Sequence, residues 1–70
     1  MRYAIVIERI GENYSAYVPD LPGCVATAAS QSAAEQAIRE AIEFHLFGLQ
    51  QDGEAPPAPS STVDYVEIPA

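Results

Sequence analysis

The run Pro19-Asp20-Leu21-Pro22-Gly23-Cys24 allows the backbone few courses. Leu21-Pro22-Gly23-Cys24 reads as a type II turn, because Pro at its second position fixes φ and Gly at its third supplies a positive φ. Pro19 has no N–H to give to a ladder, so it ends the strand that precedes it. The run stands between two short strand-like segments and ahead of an Ala-rich helical pattern. The chain is therefore expected to reverse direction here, with sheet before the turn and sheet then helix after it.

The flanking periodicities fill in that frame. Tyr3 to Ile7 is β-branched and aromatic and apolar on both phases, which predicts a central strand covered on both faces. Gly11-Glu12-Asn13 is turn chemistry, and Tyr14 to Val18 then sets Tyr14, Ala16 and Val18 against Ser15 and Tyr17, so the two segments should form a hairpin. Cys24 to Ala29 predicts a third short strand of small residues. Further on, Ala34, Ala37, Ile38, Ala41, Ile42, His45, Gly48 and Leu49 share one helical face, and Glu35, Arg39, Glu40, Glu43 and Gln50 share the other. Either Ser30 or a capping box starting at Ser32 begins this helix, and Gly53 marks its end. Ala55-Pro56-Pro57-Ala58-Pro59-Ser60 suits only an extended crossing, after which Val63 to Ile68 reads as a last strand. The expected fold is α+β, in the order β-β-β-α-β: an antiparallel-rich sheet with one helix on one face, in a single domain over residues 1–70.

Charge narrows the partners. Ten acidic residues stand against three arginines and no lysine, a formal net charge of −7. Phosphate contacts need a basic patch, so direct binding of nucleic acid is not expected, whereas a basic protein would be attracted. The same charge also serves solubility. With 70 residues the chain buries only about 60% of its unfolded surface, and domains of this size often complete their core by oligomerising. Cys24 is the only cysteine, which rules out an internal disulfide and suits a reducing cytoplasm. Neither a signal peptide nor a membrane-spanning run is recognisable, so no membrane partner is expected.

Catalytic chemistry finds little to work with. His45 is the sole imidazole and lies on the helix core face, so neither zinc spacing nor a nucleophile–base pair is present in the sequence. The four glycines stand apart and form no phosphate loop. Pairs such as Glu8 with Asp20 or Asp64 suit a hard cation such as magnesium, yet ten acids on a small surface approach one another by chance. No enzymatic activity, cofactor or metal is expected. Phe47 is an aromatic on the charged side of the helix, beside Glu40 and Glu43, and reads as an interface anchor or a lone exposed ring.

Several of these segments together resemble the HicB-type antitoxins. They are Tyr3 through Glu8, the strand ending in Val18-Pro19, the Asp20-Leu21-Pro22-Gly23-Cys24 turn, the Ala34 to Leu49 helix with Arg39-Glu40-Ala41-Ile42, and Asp52-Gly53 ahead of Pro-rich sequence. The resemblance covers nearly the whole chain, and Val-Pro-Asp-Leu-Pro-Gly-Cys is its most distinctive part. It implies a reduced ribonuclease H-like fold without catalytic activity, which forms dimers or higher oligomers. It also implies a partner: HicA, a small basic RNA-cleaving toxin with a double-stranded-RNA-binding-like fold, whose charge complements that of this chain. Ala28-Ala29-Ser30 replaces the Gly-Asp-Thr or Gly-Asp-Ser usual before the helix, so no role of that Asp carries over. Ser32 and Ala33 replace acids common in the first helical turn. Larger members append a helix-turn-helix or ribbon-helix-helix domain, and operator binding is not expected of this polypeptide.

The exposure pattern nominates Tyr14, Tyr17, Asp20, Glu40, Glu43 and Phe47 for the partner contact. One helix covers only one face of a sheet, so the other face should be an interface between copies. The competing reading is an oligomeric domain without a toxin, acting as a scaffold or regulator.

Overall fold

A computed structural model describes all residues, 1–70. It contains β1 (Val6–Ile10), β2 (Asn13–Tyr17), β3 (Val25–Ala28) and α1 (Gln31–Gln51). The strands form one antiparallel sheet in the order β1-β2-β3. The α+β class and the β-β-β-α order match the expectation from the sequence.

The hairpin register decides which side chains meet. Ile7 faces Ala16 and Ala16 faces Ala26, while Val6 faces Tyr17 and Tyr17 faces Val25. Because side chains alternate along a strand, the first row lies on the inner face and the second on the outer. Gly11 takes φ 61 in the β1–β2 turn, where a side chain would be strained. The Pro-Gly turn forms as expected, with Gly23 at φ 84 and the Cys24 N–H donating to the Leu21 carbonyl at 3.1 Å.

The helix begins at Ser30, which settles the two candidate starts. Ser30 is extended and its Oγ accepts from the Ala33 N–H at 3.1 Å, satisfying one of the free first-turn donors. At the other end Gly53 adopts φ 73, its N–H donating to Gln50 at 3.1 Å and that of Glu54 to Leu49 at 2.9 Å. This crossed pair is a Schellman cap. Ala34 and Ile38 are buried under the helix, with Ala41, Ile42 and Leu46 packed beside them. Leu46 joins the apolar face that the spacing assigned to its neighbours.

Two expectations fail here. The segment Val63 to Ile68 forms no strand, and Val63, Tyr65, Val66 and Ile68 are all exposed. A strand needs a partner for its backbone, and no residue beyond Glu54 makes a backbone–backbone hydrogen bond. For the same reason β1 is an edge strand and not the central one, although Tyr3 to Ile7 is apolar on both phases; β2 occupies the centre. The fully buried core is correspondingly small, just Ala16, Val18, Leu21, Cys24, Ala34 and Ile38. Four of those six come from β2 and the turn after it, so the turn is part of the core and not a surface link.

Candidate partner-binding surfaces

The turn presents its residues in two directions. Leu21 and Cys24 point inward, and the Val18 N–H donates to the Cys24 carbonyl at 3.3 Å while that of Leu21 donates to Val18 at 3.1 Å. Asp20 points the other way, to the C-terminal segment. Its carboxylate accepts the backbone N–H groups of Ser60 and Ser61 at 2.9 and 3.0 Å. It also accepts their hydroxyls at 3.1 and 2.7 Å. These donors, led by the Ser61 and Ser60 N–H groups, lower the Asp20 pKa from 3.8 to about 2, because each favours the charged form. The nominated partner residue Asp20 thus already has a partner some forty positions along its own chain. The Tyr3 hydroxyl makes a second tie to that segment by donating to the Pro57 carbonyl.

The remaining nominees fall in different places. Tyr14 is half-buried and packs inward against the core, so it is not the exposed aromatic the alternation suggested. Tyr17 lies on the outer sheet face, 40% exposed, in the row Val6–Tyr17–Val25. Glu40, Glu43 and Phe47 do come together along the exposed side of α1. Phe44, at 80% exposure, shares that side and escaped the sequence reading. Its spacing was the available signal, because positions 40, 43, 44 and 47 line one stripe of a helix. The stripe pairs two exposed aromatic rings with two carboxylates, and Glu40 accepts a hydrogen bond from Gln36 at 2.9 Å.

The structure also brings together Cys24 and His45, which the sequence places in different elements. With Asp52 they line a hollow of about 420 Å³ between the turn and the last helical turns. Burial pushes the Cys24 thiol up, which keeps it protonated and is the opposite of an activated thiolate. No group of three or more His, Cys, Asp or Glu side chains is arranged to hold a metal ion. A larger groove of about 600 Å³ runs between the chain's start and the helix, with Tyr3 and Ile5 on one wall and Ile38, Ile42 and Leu46 on the other. No helix is long and apolar enough to cross a membrane.

A three-stranded antiparallel sheet under one capped helix, with its chemistry confined to exposed surfaces, defines a small α+β domain. Residues 3–70 match the family described as the HicB-like antitoxin of bacterial toxin-antitoxin systems, and the chain belongs to that family. A chain of the HicA3 and HicB3 toxin-antitoxin complex superposes with a TM-score of 0.72 at 27% identity, over 86% of this chain and 70% of that one. An uncharacterised 14.9 kDa protein from the rep-hol intergenic region of Haemophilus phage HP1 is 36% identical over 69 residues, 99% of this chain and 52% of the relative. A UPF0150 protein of Helicobacter pylori is 45% identical over 47 residues, 67% of this chain and 65% of the relative. The chain thus spans about half the length of the phage protein and 65% of the Helicobacter protein.

Proposed function

We propose that this chain is an antitoxin domain that binds a small basic RNA-cleaving toxin in the cytoplasm and covers its active surface. The observation that carries this reading is the exposed stripe Glu40, Glu43, Phe44 and Phe47 on a chain of net charge −7. Carboxylates speed the encounter with a basic partner and set its orientation, while aromatic rings supply the anchors that protein interfaces favour. Family membership and the likeness to a toxin-antitoxin complex support the same reading. The domain acts by occlusion and performs no chemistry of its own. It also self-associates, since the row Val6, Tyr17 and Val25 lies on the sheet face that α1 leaves uncovered, with Val25 64% exposed.

The test is co-expression with each neighbouring gene, scored by growth and by co-purification. A small basic protein that stops growth alone, and is both bound and silenced by this chain, is the expected result. The Phe44→Ser/Phe47→Ser double variant should lose the rescue, with affinity down about 30-fold or more for anchors of this kind and an unchanged helix signal. Should no neighbour be toxic or bind, the antitoxin reading falls and an oligomeric scaffold takes its place.

A further inference from the structure

The stretch Tyr3 to Ile7, which leads into β1 and supplies its first two residues, has the composition of a strand with neighbours on both sides, while β1 has a single neighbour. Tyr3-Ala4-Ile5-Val6-Ile7 is apolar on both phases, yet the sheet order leaves the outer edge of β1 unpaired. Unpaired strand edges are open templates that native proteins cover, and β1, five residues with Glu8 and Arg9 among them, keeps one. The helix lies across β2 and β3 and scarcely reaches β1. Just ahead of β1 runs the groove of about 600 Å³, walled by Tyr3 and Ile5 of the chain's start and by Ile38, Ile42 and Leu46 of α1, with Ser32, Glu35, Gln36, Arg39 and Glu43 also in its lining. Together the free edge of β1 and the part-apolar groove just ahead of it offer a slot for one more strand.

The chain also carries a strand with no slot. Val63 to Ile68 is rich in β-branched and aromatic residues, with Val66 and Ile68 on one pleat phase and Val63 and Tyr65 on the other. These four are 51 to 90% exposed. No residue beyond Glu54 takes part in a backbone–backbone hydrogen bond. Asp20 fastens Ser60 and Ser61, and Pro59 to Val63 pass Arg2, Tyr3 and Ala4 near the start of β1. Beyond that point the arm runs into solvent and leaves the slot of its own chain empty.

We infer that the arm Val63 to Ile68 of one chain enters the β1 groove of a second copy and pairs with the free edge of β1, reciprocally. This rests on the self-association proposed above and names its mechanism. Surface area supports the second copy as occupant. The chain exposes 5463 Å², roughly 1,200 Å² more than a compact monomer of its mass, and a stable dimer removes about 800 Å² from each partner. Its radius of gyration is 13.7 Å, where a compact chain of this length has about 11 Å. Charge agrees. Two of the three arginines of this acidic chain stand near the slot, Arg39 on the groove wall with Glu35 and Glu43, and Arg2 beside Tyr3 where the arm passes. The arm brings Asp64 and Glu67 toward them.

The full chain and two variants decide the matter by light scattering across micromolar concentrations, with hydrogen exchange of residues 62–69. Tyr65→Pro/Val66→Pro removes two consecutive N–H groups, and since these point to opposite sides of a strand, one of them must face β1. Tyr65→Asp/Ile68→Asp puts a charge on each pleat phase, so that one of the two faces the groove, while leaving the backbone intact. Expected are a mass of two chains for the unaltered protein, arm amides that exchange about tenfold more slowly as concentration rises, and a single-chain mass for both variants with an unchanged helix signal. A dimer indifferent to both variants overturns the arm exchange and leaves self-association standing. A monomer with an unprotected arm overturns both. Arm protection in a monomer, or only when a toxin is added, assigns the slot to the chain's own arm or to another protein, and either result overturns the inference.

Discussion

Residues 13–53 and residues 54–70 of this chain contain similar chemistry arranged to opposite ends. In the first region β2 and β3 pair, α1 is capped at both ends, and all six buried side chains lie there. The second is also rich in strand-forming residues after its prolines, yet every residue in it is exposed. Backbone satisfaction separates them more than hydrophobicity does. A strand cannot bury its side chains until its N–H and C=O groups have partners, and the arm makes no backbone–backbone hydrogen bond within the chain. Local caps and turns complete the first region; the second requires something brought from elsewhere.

The comparison breaks most visibly in the core. Leu21 and Ile38 are the largest fully buried side chains, and Leu21→Ala or Ile38→Ala should cost about 2–5 kcal/mol through lost burial and the cavity left behind. Chemical denaturation followed by the helix signal would then show most or all of the molecule's stability gone. Val66→Ala in the arm, measured on dilute single chains, should shift the same curve by less than about 0.5 kcal/mol. Equal effects at the two sites would mean that the arm is packed after all.

The caps come next in size. Gly53→Ala places a Cβ on a left-handed backbone at φ 73, in otherwise open space, and should cost about 1 kcal/mol from strain alone. Ser30→Ala removes the acceptor for the Ala33 N–H and should likewise cost about 1 kcal/mol. Both changes act on the helix ends, and amide exchange there should rise before exchange in β2 does.

Local signals made the first region readable. Pro22-Gly23 announced its turn, Gly53 its cap, and the apolar spacing from Ala34 to Leu49 its helix. What the sequence left open was decided by tertiary placement. Ser30 and Ser32 both offered a hydroxyl, and only the extended backbone at Ser30 directed one at Ala33. Tyr14 looked exposed because alternation defines two faces without saying which one the helix covers. Phe44 went unnoticed because its meaning depends on Phe47, Glu40 and Glu43 sharing its stripe. The expected last strand had the right composition, but composition does not supply a neighbour. The tie between Asp20 and Ser60-Ser61 was invisible for a related reason: forty positions of chain separate its ends, and nothing local to either end refers to the other.

That tie joins the two regions, and removing it gives the smallest expected effect on global stability. Asp20→Asn keeps the side chain's shape but removes the charge that strengthens the hydrogen bonds from both N–H groups and both hydroxyls. The core should unfold as before, while the Ser60 and Ser61 amides lose their protection and the arm swings more freely. Acid should do the same to the unaltered chain. The Asp20 carboxyl titrates near 2 when tied, against 3.8 for an untied carboxyl. A depressed pKa means the tie's contribution is fully present above the untied value and disappears as pH falls through the tied one. Between pH 7 and 5 the arm should therefore stay fastened, and it should release only as the solution approaches pH 2. Carbon-detected NMR of the Asp20 carboxyl, read beside the Ser60 and Ser61 amide shifts, follows both events together. Titration of Asp20 near 3.8, with the two amide shifts unmoved, would show that the arm is not held there in solution.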